Sequence, residues 1–391
     1  MKARKPAAFL AALGLFGATV FGYHLYNKSH LDFDSNAFST WAQDAKSLSR
    51  AGIEANLDEN SLVVFGSSEF QHGSELPCHP NQLFRRTKLN TMLIGAGYYQ
   101  SLSHAITLAS ISDSMENKKA VLLLSPQWFR KTGVVDKAFA SRFSETHYLG
   151  MLDNPSLSRK TKEAIMERTE ELLAADPSAL ERVEAYDRRA RGEDMGFFEN
   201  LYLNFYQGFL AEKDQAGVVM QAQLAGISSR GERELSEEEP DWASLDAQAE
   251  AYGDQHQQNE FFMDEEGYRE AAARKAEKKG SDADAENGYG FSPEYDDLRL
   301  FLQVCQELSV TPMLVILPVN GYWYDFTEFP AQARQNYYQN IRDLAAEFPD
   351  AQVTDLSGEE HTKYFFEDSV HLAQKGWLTV DEALYQFARQ A

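Results

Sequence analysis

The sequence predicts a three-layer α/β/α protein on a mostly parallel five-stranded sheet, interrupted by a large helical insertion and preceded by a transmembrane helix. Three observations predict it. Short, continuous apolar runs recur along the chain, as expected of strands covered on both faces. Segments with apolar residues at helical spacing alternate with those runs, the pattern of right-handed β-α-β crossovers. An uncharged stretch long enough to cross a bilayer stands at the N-terminus.

That stretch runs from Pro6 to Asn27, with Lys2, Arg4 and Lys5 before it and Asp32 and Asp34 after Lys28. The basic flank assigns residues 1–5 to a cytoplasmic tail, 6–27 to an anchor and the rest to the outside. Tyr23 and Tyr26 stand where an interfacial aromatic belt forms. A cleaved signal peptide is the rival reading, but the run is long for one and no A-x-A site ends it. Residues 28–60 are expected as a stem, polar and helix-prone from Ala37 to Leu57.

Strands are expected at Leu62–Phe65, Met92–Ile94, Ala120–Leu124, Met313–Leu317 and Gln352–Leu356. Between them Leu102, Ala105, Ile106 and Ala109 share a helical face. So do Leu298, Phe301, Val304, Cys305 and Leu308, and later Tyr337, Ile341 and Leu344. The catalytic unit is thus expected over 61–153 and 291–391. Residues 154–290 break the alternation as a mostly helical insertion, with an aromatic stretch from Phe197 to Leu210 and a strongly acidic one from Gly231 to Gln255. The part from 231 to 285 reads as a loosely packed loop, because acidic runs are usually solvated.

The composition, 43% hydrophobic and 12% aromatic, is that of a packed protein. A net charge of −23, from 60 acidic and 37 basic residues, argues against nucleic-acid binding. Cys78 and Cys305 read as two buried free thiols rather than a bridge, and no Cys/His cluster calls for zinc.

In such sheets a site lies beyond the carboxyl ends of the strands. After the first strand comes Gly66-Ser67-Ser68-Glu69, a tight turn where a nucleophilic serine can sit at the sheet's rim. Near the C-terminus Asp368-Ser369-Val370-His371 places a carboxylate three residues before a histidine, able to orient an imidazole as a base. After the third strand, Gln127 in Ser125–Phe129 offers a side-chain amide to an oxyanion. Each feature alone is more often structural: a turn serine, a loop histidine, a loop glutamine.

Taken in order, the features resemble the block layout of SGNH hydrolases, whose fold is flavodoxin-like. The resemblance makes Ser68, and not Ser67, the nucleophile. It puts the second-block glycine at Gly97 in preference to Gly95, and Gln127 where the family normally has asparagine. A closer resemblance is to the DltD family, carried by Phe65–Phe70 (FGSSEF), Gly95–Ala105 (GAGYYQSLSHA), Ser125–Phe129 (SPQWF), Leu317–Thr327 (LPVNGYWYDFT) and Phe365–Trp377 (FFEDSVHLAQKGW). Tyr98, Tyr99 and Ala373-Gln374 depart from the family's habit.

This resemblance implies transfer of D-alanine to lipoteichoic acid outside the membrane, beside the membrane O-acyltransferase DltB and the peptide DltX, with no cofactor or metal. It implies Ser68, His371 and Asp368 as the triad, and the N–H groups of Ser68 and Gly97 with the Gln127 amide as oxyanion donors. Glu69 is a candidate partner for the alanyl ammonium or a structural residue of the turn, and Asn320 and Trp323 either contact donor or acceptor or belong to a packed loop with a capping asparagine. Arg130 and Lys131, or Arg85, Arg86 and Lys88, offer positive charge to a polyglycerol phosphate acceptor. An esterase acting on an envelope glycan or carrier, and a non-catalytic docking component, are the alternatives.

Overall fold

The computed structural model describes residues 4–33, 35–227, 236, 238–283, 285 and 288–390. Five parallel strands form one sheet: β1 (Ser61–Phe65), β2 (Asn90–Ile94), β3 (Lys119–Leu124), β4 (Thr311–Ile316) and β5 (Gln352–Asp355), in spatial order β2-β1-β3-β4-β5. The chain leaves β1 for β2 on one side and returns to β3 on the other. This reversal opens a crevice at the carboxyl ends of β1 and β3.

Alternate side chains feed two cores. Val63, Phe65, Ile94, Leu122, Leu124 and Ile316 pack on one face against α2 (Ser101–Ile111), and residues of the later helices Glu294–Glu307 and Ala331–Ala345 join them. Leu62, Val64, Leu93, Leu123 and Val315 pack on the other with Trp377 and Leu384. Burial on both faces is why these strands read as unbroken apolar runs. The edge strand β5 differs: three of its four residues are exposed, so its sequence signal was weak.

The N-terminal helix α1 (Arg4–Ser29) contains an apolar span, Ala8–Ser29, exposed but for Asn27 and a half-buried His24, and fits a single-pass membrane anchor. Lys2 and Asp34, used in the orientation argument, lie outside the described residues. The expected stem is instead part of the domain. Phe33, Phe38 and Ile53 are fully buried, and Asn36 donates to the carbonyls of Phe84 and Thr87 at 3.0 and 2.8 Å.

The insertion is helical throughout most of its length: α3 (Arg159–Leu172), α4 (Pro177–Ala190), α5 (Phe197–Leu224), α6 (Trp242–His256) and α7 (Glu265–Lys278). The expectation of a loose loop over 231–285 therefore fails where residues are described; 228–235, 237, 284, 286 and 287 lie outside that set. Two contacts explain the difference. Trp242 of α6 meets Tyr385 of the C-terminal helix α10 (Gln374–Arg389) at 5.6 Å, and Gly253 lies so close to Tyr364 that a Cβ there would clash at 2.1 Å. After the insertion, α8 (Glu294–Glu307) and α9 (Ala331–Ala345) complete the layer over the first core. Cys78 and Cys305 are both buried and unpaired.

Candidate active site

The turn after β1 is built by close backbone approach. Gly95, at φ +150°, lies against Gly66; a Cβ at position 95 would come within 1.9 Å of the Gly66 carbonyl oxygen, which no neighbour can relieve. Behind this contact the two serines diverge. The Ser67 hydroxyl donates to the Ala96 carbonyl at 3.2 Å, so it is committed to the turn. The Ser68 hydroxyl points across the crevice to His371 Nε2 at 2.9 Å. His371 Nδ1 lies 2.7 Å from Asp368 Oδ2, while Asp368 Oδ1 accepts the N–H groups of Val370 and His371, each at 2.8 Å.

A carboxylate facing Nδ1 selects the tautomer with its proton there, leaving the Nε2 lone pair for the serine hydroxyl. Burial pushes the Asp368 carboxyl up, but the hydrogen bond and charge of His371, with the two N–H bonds, outweigh it and hold the group below the usual carboxylate range.

The Asp368 loop is clamped from three directions. The Glu367 N–H donates to the His371 carbonyl at 2.9 Å, closing the turn. Asn320 donates from its backbone to Ser369 O at 3.0 Å, and from Nδ2 to the carbonyls of Asp368 (3.3 Å) and Phe261 (2.9 Å). From the insertion, the Asp264 N–H donates to Glu367 O at 2.9 Å, and Gly267 at the start of α7 leaves no room for a Cβ, which would lie 2.2 Å from that same oxygen.

These contacts favour the structural reading of two residues that the sequence left open. Asn320 is buried and caps the short helix Gly321–Phe326 through the Trp323 N–H, so it positions the loop and presents nothing to a ligand. Glu69 is 3% exposed and accepts the Ser67 N–H at 2.6 Å; burial raises its carboxyl. It shapes the Gly66–Glu69 turn and has no open face for an ammonium.

Gly97 stands beside the serine: a Cβ there would lie 4.0 Å from Ser68 Cβ. Its N–H is turned to the Gln71 side-chain oxygen at 3.4 Å, and its carbonyl accepts from Arg142 Nε at 2.9 Å. Of the residues that depart from family habit, Tyr98 is held at φ 77° and largely exposed, while Tyr99 is buried under Arg142. The Gln127 amide, in the turn after β3, has no hydrogen-bond partner among the described residues. It lines a cavity of about 750 Å³ with Arg130, Lys131, Trp323 and Asp368. Arg274 and Lys278 of α7 line the same cavity, as do Glu270 and Asp282, and among the described residues none of these four cations has a salt-bridge partner. On the other side of Asp368, a cavity of about 480 Å³ is acidic, lined by Glu75, Asp264, Glu266, Glu270 and Glu367.

Sequence reasoning missed a second imidazole. His72 stacks on His371 with ring centroids 3.6 Å apart and planes 6° from parallel, and its Nδ1 lies 2.5 Å from Glu367 Oε1. The Glu367 hydrogen bond raises the His72 pKa against the opposing pull of burial. The only hint in the chain was a histidine four residues past Ser68 and a glutamate beside Asp368. The ligand atoms of His72, Glu367, Asp368 and His371 lie within 4.8 Å of one another, a set able to hold a divalent cation. His72 and His371 each face a carboxylate through Nδ1, and His371 Nε2 faces the Ser68 hydroxyl.

The sequence profile of the DltD protein family matches residues 36–389. The chain belongs to the DltD family. It is 31% identical over 337 residues to Protein DltD of Bacillus subtilis, covering 84% of this chain and 83% of that one. Similarity extends to Protein DltD of Staphylococcus aureus, 25% over 328 residues (82% and 79%), and of Lacticaseibacillus rhamnosus, 26% over 370 residues (91% and 86%). Membership in the DltD family supports a role in the D-alanylation of teichoic acid at the cell envelope.

Proposed function

We propose that this chain is an outward-facing, membrane-anchored serine acyltransferase that passes D-alanine to lipoteichoic acid. The observation that carries this reading is the relay Ser68 Oγ, His371 Nε2, His371 Nδ1, Asp368 Oδ2, with links of 2.9 and 2.7 Å, at the switch point of the sheet. As Ser68 Oγ attacks the carbonyl carbon of an activated D-alanyl group, His371 Nε2 takes its proton and passes it to the leaving atom. A serine ester results. A glycerol hydroxyl of the acceptor then gives its proton to Nε2 and attacks the ester, and Ser68 recovers the proton as it departs. The Ser68 and Gly97 N–H groups, with the Gln127 amide, are the oxyanion donors, which requires Gln71 to release Gly97.

Charge separates the two substrates. The acidic cavity beside His72 suits the alanyl ammonium, taking the role expected of Glu69. The cavity with Arg130, Lys131, Arg274 and Lys278 suits a glycerol phosphodiester, in a chain whose overall charge repels one. On this reading the donor arrives through DltB and DltX, which meet the domain on the outer side of the membrane.

Replacing Ser68 with alanine tests the function. D-alanine ester on lipoteichoic acid in cells is expected to vanish, with negligible hydrolysis of a model ester by the wild type. Wild-type hydrolysis comparable to transfer favours an esterase. Full alanylation by the Ser68→Ala chain leaves only docking.

A further inference from the structure

The insertion's longest helix carries a surface that the chemistry above does not use. Along the first half of α5, Phe197, Phe198, Leu201, Tyr202, Phe205 and Phe209 are each more than half exposed, Phe198 at 81% and Phe205 at 74%. The opposite side of the helix is the packed one. Leu203 and Leu210 are buried there, and further along Asp214 accepts the Ala51 N–H at 3.0 Å, tying the helix to the domain. Monomeric proteins seldom leave so continuous an apolar stripe in water.

The stripe has a direction. Positions 198, 205 and 212 are seven apart and fall on one line of an α-helix. Glu212, on that line, bonds through Oε1 to Nδ1 of His24 in the apolar N-terminal helix at 2.6 Å. Farther along α5, Gln223 donates to the Tyr26 hydroxyl at 3.2 Å. His24 and Tyr26 stand near the end of the apolar span Ala8–Ser29, where an anchor leaves the hydrocarbon. The aromatic stripe therefore faces the same side as the anchor, beginning about 10 Å from the contact at Phe205 and reaching about 20 Å at Phe198.

We infer that the first half of α5 lies in the lipid interface beside α1, its Phe and Leu side chains seated among acyl chains and Tyr202 at headgroup level. The inference rests on the reading of α1 as a membrane anchor. Lipid is the occupant because the stripe continues the outer end of that anchor, and its aromatic, nearly uncharged composition is that of an interfacial belt. With a net charge of −23, the chain gains nothing from attraction to anionic lipid, so apolar insertion has to carry the attachment. An anchor alone leaves the domain free to swivel. A second attachment through a helix that is packed into the domain fixes the crevice's height and heading over the membrane.

The test uses the full chain in phosphatidylcholine/phosphatidylglycerol nanodiscs, with nitroxide labels at Phe198→Cys, Phe205→Cys, Leu15→Cys in the anchor, and Gln335→Cys on the exposed side of α9. The native Cys78 and Cys305 are buried and do not compete for label. Labels at 198 and 205 are expected to collide with oxygen freely, and with a water-soluble nickel chelate about fivefold less than the label at 335. Nickel collision at 198 and 205 equal to that at 335, with 15 shielded, overturns the inference and leaves the anchor standing. A water-exposed label at 15 overturns both. Labels at 198 and 205 shielded from oxygen as well as nickel signify a protein contact and also overturn it.

Discussion

Replacing Asp368 with asparagine changes one atom's character at a position where the backbone dictates the outcome. Oδ1 accepts two N–H groups, from Val370 and His371, while Oδ2 faces His371 Nδ1. Only an oxygen can accept those two bonds, so the asparagine amide nitrogen must take the Oδ2 position with its hydrogens toward Nδ1. His371 then keeps its proton on Nε2, pointing it at Ser68, and cannot act as a base. A wrong tautomer of this kind lowers the rate by about 10⁴-fold, about 5 kcal/mol in the transition state. Because the side chain keeps its shape, folding should be little affected. The assay is D-alanine ester on lipoteichoic acid in cells carrying only the variant, paired with the thermal midpoint of the purified chain. Transfer within about tenfold of wild type, with folding intact, would refute the tautomer argument.

Three further outcomes follow from the same geometry. Reversing Arg130 and Lys131 to glutamate, or Arg274 and Lys278, should cut alanylation of the polymer by about tenfold or more while sparing acyl transfer to free glycerol; equal loss on both acceptors contradicts a phosphodiester role. Gly267→Ala should push α7 off the Asp368 loop, costing about 1–3 kcal/mol of stability and most of the activity, read by thermal unfolding and by the cell assay. Asp264→Asn probes pH. Burial, with the charges of Glu367 and Asp368, pushes this carboxyl from 3.8 up to about 7. The folded chain therefore holds a proton the unfolded chain loses first, and stability falls as pH rises through that interval. The variant should gain on the order of 3 °C at pH 8 and little at pH 4; a gain independent of pH contradicts the account.

The sheet was legible because parallel strands buried on both faces are uninterrupted apolar runs; solvent-facing β5 was faint, and β2 was weaker because its buried residues include the polar Asn90 and Thr91. The Asp368–His371 pair was legible because its geometry is local, three positions along one loop, and Ser68 because a glycine-led turn follows a strand. Glu69 and Asn320 stayed open between a structural and a ligand-binding role for a common reason. A polar residue at a strand end looks the same whether it turns outward to a ligand or inward to cap a backbone, and only the surrounding N–H and carbonyl groups decide. His72 and Glu367 escaped notice because 295 positions separate them. The insertion's acidic composition announced solvent, yet Trp242 and Gly253 pack it onto the domain. The presumed stem hid Phe33, Phe38 and Ile53 among polar neighbours.

The most direct measurement is peptide mass spectrometry of the wild-type chain, quenched in acid during turnover of an activated D-alanyl ester. The account predicts the mass of one alanyl group on the peptide bearing Ser68, discharged when glycerol phosphate oligomer is added and never formed in Ser68→Ala. Continued transfer with no alanyl mass on that peptide would contradict it.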